Sequence, residues 1–133
     1  MVITRAILDE FSEIVKASPR LRMNYNFHQS LEDKCHRFLN TVEPGTVVPI
    51  HRHPTKDESF VVLRGKIKVS INNDDGSVID SVVLCQEDGR YGVDIPKNVW
   101  HNLEALESNS VIFECKEGPF VPHEQEGILE LPK

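Results

Sequence analysis

Residues 45–65 read GTVVPIHRHPTKDESFVVLRG, and the way this stretch folds decides how the rest of the chain is read. Two histidines, His51 and His53, are separated by a single residue, and Glu58 follows on their C-terminal side. Thr46, Val47, Val48 and Ile50 before them, and Phe60 to Leu63 after them, predict strand on both flanks. Alternate side chains of a strand share a face, so His51 and His53 point the same way. The segment Pro54-Thr55-Lys56-Asp57 predicts a turn that folds the chain back and brings Glu58 beside them. Two imidazoles and a carboxylate converging from a hairpin make most of a coordination shell for a divalent transition metal. An isolated HxH pair would instead read as ordinary surface or core histidines, so the weight rests on what accompanies it.

Composition narrows the class. With 133 residues the chain is long enough for one domain with a real core. Hydrophobic residues at 39% and charged residues at 27% match a soluble globular protein rather than a disordered one. No apolar run approaches the roughly 18 residues of a membrane span, and Met1 to Arg5 opens without an apolar signal core. A cytoplasmic protein with no membrane partner is therefore expected. The formal charge of −6 argues against a broad nucleic-acid surface. It leaves room for an anionic small molecule, which needs only a local basic pocket. Cys35, Cys85 and Cys115 are odd in number, far apart and outside any CxxC, which predicts buried free thiols rather than a disulfide framework or a thiolate zinc cluster.

Upstream, Ile3, Ile7, Leu8, Phe11, Ile14 and Val15 recur at helical spacing and predict an amphipathic helix over 4–17, capped by Thr4 and ended by Pro19. Residues 18–28 alternate instead: Arg20, Arg22, Asn24, Asn26 and His28 against Leu21, Met23, Tyr25 and Phe27, the pattern of a half-buried strand or extended arm. Two readings of that polar face stay open. It is either a solvated strand face or, laid across a barrel mouth, an anion-binding wall with guanidinium groups suited to carboxylate or phosphate. Residues 29–34 predict a loop and 35–42 a strand. His36 in that strand lacks a spaced partner and reads as a hydrogen-bonded or surface histidine.

Downstream, residues 66–71 alternate strictly, and 78–84 return as a partner strand across the turn Asn72-Asn73-Asp74-Asp75-Gly76-Ser77. The acidic tip lacks a full calcium loop and reads as a hairpin turn. Val93 to Ile95 predicts a short strand leading to Pro96-Lys97-Asn98-Val99-Trp100-His101. A type II turn there requires positive φ at Asn98, which asparagine tolerates. Residues 103–107 and 110–115 predict two more strands about a Ser108-Asn109 turn. The tail from Lys116, rich in proline, is expected to wrap the surface, with His123 exposed.

The order Gly45, His51, His53, Glu58, Gly65 resembles the first signature of the cupin superfamily without a gap, and Pro96 to His101 resembles part of the second. Asn98 replaces the usual glycine, and the glycine expected six residues before Pro96 is replaced by Arg90. Over most of its length the chain also resembles the small cupins called the WbuC family. The likeness runs through Ser18-Pro19-Arg20, Asn26-Phe27-His28, Glu43-Pro44-Gly45-Thr46, His51-Arg52-His53-Pro54, Phe60 to Gly65, Trp100-His101 and Glu117-Gly118-Pro119. The resemblance implies an all-β double-stranded β-helix, the cupin jelly-roll barrel, with an N-terminal helix. It implies one domain over 1–133: a helix in 1–18, leading strands or an arm in 19–44, a metal-binding barrel core in 45–116 and a tail in 117–133. It also implies a link to bacterial surface-polysaccharide gene clusters.

By carry-over His51, His53, Glu58 and His101 are the expected ligands of one divalent transition metal ion: zinc, iron, manganese or nickel. Arg20, Arg22, Asn26 and His28 are the candidate substrate-binding residues, with His28 the best candidate for an otherwise unassigned general base. Three functions are compatible with this reading. One is a metal-dependent isomerase or epimerase on a sugar or sugar-nucleotide. A second is a non-catalytic module that binds or senses a small molecule, and a third an iron-dependent oxygenase. A small-molecule partner is expected, an anionic sugar among the choices, and so is a homodimer that covers an open sheet edge.

Overall fold

The structure, a computed structural model, describes residues 1–121 and 127–129. It opens with helix α1 (Arg5–Lys16), and the Thr4 hydroxyl accepts from the Ile7 N–H at its start. Eight strands follow: β1 (Arg22–Asn26), β2 (Cys35–Val42), β3 (Glu58–Arg64), β4 (Ile67–Asn72), β5 (Val78–Leu84), β6 (Gly92–Ile95), β7 (Trp100–Ala105) and β8 (Ser110–Glu117). They form two antiparallel sheets, ordered β1-β2-β8-β3-β6 and β5-β4-β7. No described helix is long and apolar enough to cross a membrane.

The alternation of each strand explains the layers. Inward residues of both sheets, among them Val42, Phe60, Val62, Ile67, Val69, Leu103 and Ile112, make the main core. Leu39 and Val111 point the other way and are equally buried, because Leu8 of α1 packs over them with Phe11, Phe27 and Phe113 at the margin. The larger sheet is therefore apolar on both faces where the helix covers it, which is why β2 reads as a nearly continuous buried run. Arg64 ties the helix to the end of β3 by donating to Asp9 and Ser12.

Turn chemistry holds the corners. Asn98 lies at φ 66° and Asn109 at φ 65°, left-handed positions that asparagine fills at low cost. Gly65 has φ 84°, and a Cβ there would stand 2.6 Å from the Ser110 Cα, so only glycine lets β3 turn beside β8. The Asn109 turn does not make a hairpin. It carries the chain from the small sheet (β7) to the large one (β8).

One expected strand is absent. Residues 46–50 form no ladder, and pairing begins only at His51, which bridges to His101 on one side and Ile128 on the other. Pro49 has no N–H to donate and follows the Pro44-Gly45 turn closely, so the β-branched run before it joins no ladder, and Thr46 turns its N–H and hydroxyl to the Glu43 carbonyl instead. His123, expected at the surface, lies outside the described residues.

Candidate metal centre

Two loops meet at the mouth of the barrel and lock together through their backbones. His51 and His101 exchange both backbone hydrogen bonds, at 3.0 and 2.9 Å, the Asn98 N–H donates to the His53 carbonyl, and the Lys97 N–H donates to Asp57. The expected four residues converge here. One ligand atom from each of His51, His53, Glu58 and His101 lies within 4.8 Å of the other three. Glu58 opens β3 and places one carboxylate oxygen 2.5 Å from His101 Nε2 and the other 3.4 Å from His53 Nε2.

The donor set fits a metal ion. His51 Nδ1 and His101 Nδ1 each stand 2.8 Å from a backbone carbonyl, of Pro49 and Val99. A carbonyl only accepts, so each Nδ1 carries a proton, and Nε2 is the nitrogen that would turn its lone pair to an ion. That is the outer support that metal-ligating imidazoles use. Burial, then the neighbouring His101, lowers the His51 pKa to about 4, so the ring is neutral at pH 7, as a ligand must be. For Glu58, burial alone raises the pKa. Hydrogen bonds from His101 and His53 outweigh it and hold the carboxyl well below its ordinary range, ionised.

The same four residues line a cavity with a further, different set of groups. Arg20, Arg22, Asn24, Asn40, Glu114 and Lys116 also line it, with Lys116 across the β3–β8 ladder from Glu58. Arg22 and Asn24 reach it by strand alternation on β1, and Asn40 faces it from β2. Asn26 shares their face but is solvent-exposed outside the cavity, and His28 lies outside it too. His28 is buried against His36, ring on ring at 4.0 Å, and its Nδ1 accepts from the Arg37 N–H. His36 Nε2 meets the Leu31 carbonyl at 3.0 Å, so this pair supports the end of the sheet.

Asn40, Glu114 and Lys116 were not singled out from the sequence. The signal existed: Ser110, Ile112, Glu114 and Lys116 share one face of β8, and two charges on the inward face of an apolar strand are unusual. Burial, and then the like charge of Glu58, pushes the Glu114 carboxyl up to about 8, so it is largely protonated at neutral pH. Burial also lowers the Arg22 pKa, with Arg20 adding to the effect, and the Arg22 Nε has no hydrogen-bond partner among the described residues.

The sequence profile of a family described as "Domain of unknown function (DUF6016)" matches residues 3–84. No curated protein matches the sequence. Among solved structures, CapF with the inhibitor 3-isopropenyl-tropolone superposes with a TM-score of 0.64 at 22% identity, covering 86% of this chain and 32% of that one. CapF from Staphylococcus aureus, described as a capsular polysaccharide assembling protein, gives a TM-score of 0.62 at the same identity and coverage. KdgF from Halomonas sp. gives 0.60 at 16% identity over 78% of this chain and 84% of its own. The cupin domain of Cnp3 from Schizosaccharomyces pombe gives 0.57 at 13% over 73% and 60%. The chain thus spans about a third of the length of CapF. At these identities the likeness is one of fold, and the fold is the cupin jelly-roll.

Proposed function

This chain belongs to the family described as "Domain of unknown function (DUF6016)", and from that premise, which names no reaction, we propose a metal-dependent isomerase or epimerase acting on an anionic sugar or sugar-nucleotide. The observation that carries the reading is one cavity with two unlike groups in its lining. His51, His53, Glu58 and His101 form one, and Arg20, Arg22 and Lys116 supply the cations of the other. The four clustered residues would hold zinc, iron, manganese or nickel, and such an ion would polarise a carbonyl or hydroxyl oxygen and acidify bound water. The guanidinium groups orient a carboxylate or phosphate. Asn24 and Asn40 offer amides to sugar hydroxyls. The protonated Glu114 carboxyl can donate to a sugar oxygen as a general acid. The link to surface polysaccharide draws on the WbuC-like sequence features and on the description of CapF.

The test begins with elemental analysis. The purified protein is expected to hold one divalent ion per chain, and His51→Ala and His101→Ala to lose it while the far-ultraviolet dichroism of the barrel persists. Full metal occupancy in both variants would show that the shell is misassigned. Metal-loaded protein is then offered a panel of anionic sugars in D2O, with deuterium incorporation and product followed by NMR. Binding without exchange or turnover in any metal form would leave a sensing module. Turnover that requires Fe(II) and air would make it an oxygenase.

A further inference from the structure

Cys35 and Cys115 are distant in sequence but adjacent in space. In the β2–β8 ladder Cys35 faces Glu117 and Arg37 faces Cys115, so the cysteines sit on the diagonal of one register step. His36 and Phe38 are buried, while Lys116 and Glu114 line the cavity, so alternation turns both thiols to the opposite, outer face of the sheet. Their sulfurs are 3.9 Å apart. Cys35 is exposed and Cys115 half-buried, whereas Cys85 is buried elsewhere.

We propose that Cys35 and Cys115 form a dithiol modification site that exchanges with low-molecular-weight disulfides and closes to an intramolecular bond across β2 and β8. The exposed Cys35 thiolate attacks one sulfur of a small disulfide, forms a mixed disulfide and expels one small thiolate, which takes up a proton. Cys115 loses its proton and attacks the Cys35 sulfur, expelling the second small thiol. Two protein thiols are oxidised and one small disulfide is reduced to two thiols. Burial, then the hydrogen bond and charge of Cys35, hold the Cys115 thiol above its ordinary pKa, which leaves Cys35 to react first. Closing the sulfurs from 3.9 Å to a bonded distance of about 2 Å asks for side-chain rotation and a small approach of the strands. Diagonal pairs stand slightly beyond the usual backbone separation of a disulfide, so the strands must draw together and the bond is of the readily reduced kind rather than a structural one. It would clamp two strands whose inner faces carry Asn40, Glu114 and Lys116, yet it needs neither the metal nor the sugar reading.

The test incubates the full chain with excess oxidised glutathione, then denatures, alkylates and weighs it. The expected product has lost the mass of two hydrogens, yields a peptide linking residues 35 and 115, alkylates only at Cys85 and reverts with dithiothreitol. Cys115→Ser is expected to stop at a glutathione adduct on Cys35. Cys35→Ser should react at least about tenfold more slowly at Cys115. Adducts on both cysteines without a crosslink, a crosslink only between chains on a non-reducing gel, or both thiols still fully alkylated would each overturn the proposal.

Discussion

Glu114 is the residue on which the protonation of the cavity turns. Its ordinary value of 4.5 rises to about 8 in the fold. Between these values the unfolded chain sheds the proton while the folded chain keeps it, so stability falls as pH rises through this window. Metal-free Glu114→Gln should therefore be more stable than the parent at pH 8, by up to about 4 kcal/mol, and nearly equal at pH 4.5. Urea denaturation at both pH values checks this, and a constant difference would mean a charged carboxylate in the fold. His51 works on the acid side. Its pKa falls from 6.5 to about 4, so the unfolded imidazole binds a proton first and the metal-free protein loses stability as pH drops through that range. In the same cavity, Arg20→Ala and Arg22→Ala should weaken binding of anionic sugars about tenfold or more, as expected for a lost charged hydrogen bond, with metal content unchanged. Calorimetric titration reads the first and elemental analysis the second.

At the level of elements, α1 is both a local and a tertiary object. Its helical periodicity and Thr4 cap are local, and Thr4→Ala should cost about 1 kcal/mol. Its stability in place comes from packing. Leu8 seals the Leu39–Val111 cluster, and Leu8→Ala should cost about 2–4 kcal/mol of unfolding free energy in urea. If Thr4→Ala proved the larger loss, the helix would owe more to its end than to its face. The segment at 46–50 shows the opposite case. Strong β-formers there have no ladder, because a strand is defined by its partners and Pro49 offers none. His51 acquires its two neighbours from distant chain, His101 and Ile128.

For the whole molecule, the two apolar clusters exclude all four candidate ligands, so the barrel should fold without metal. Chelation is expected to lower Tm without changing the dichroism spectrum. The loss should be about 2.7 kcal/mol when the ion had been present at a hundred times its Kd. Unfolding on chelation would instead make the ion a structural one. Strands β1 and β6 end the larger sheet, and β5 and β7 the smaller. Open edges of this kind favour pairing of two copies, and sedimentation should show a homodimer.

The features legible in the sequence are those written in short-range spacing. Alternation placed most strands, helical periodicity and Thr4 placed α1, and the spacing of His51, His53 and Glu58, with the Pro96–His101 turn, picked out side chains that the fold brings together. These work because a local period sets which way a side chain points before any partner is chosen. What the tertiary structure alone decided depends on which strands become neighbours. Ladder register set Lys116 across from Glu58 and Glu114 across from Phe60 and brought Cys35 beside Cys115, while the path of the chain left Asn26 and His28 outside the cavity that Arg22 and Asn24 line. Pairing across the sheet joins residues with no fixed separation along the chain, and so leaves no period to read.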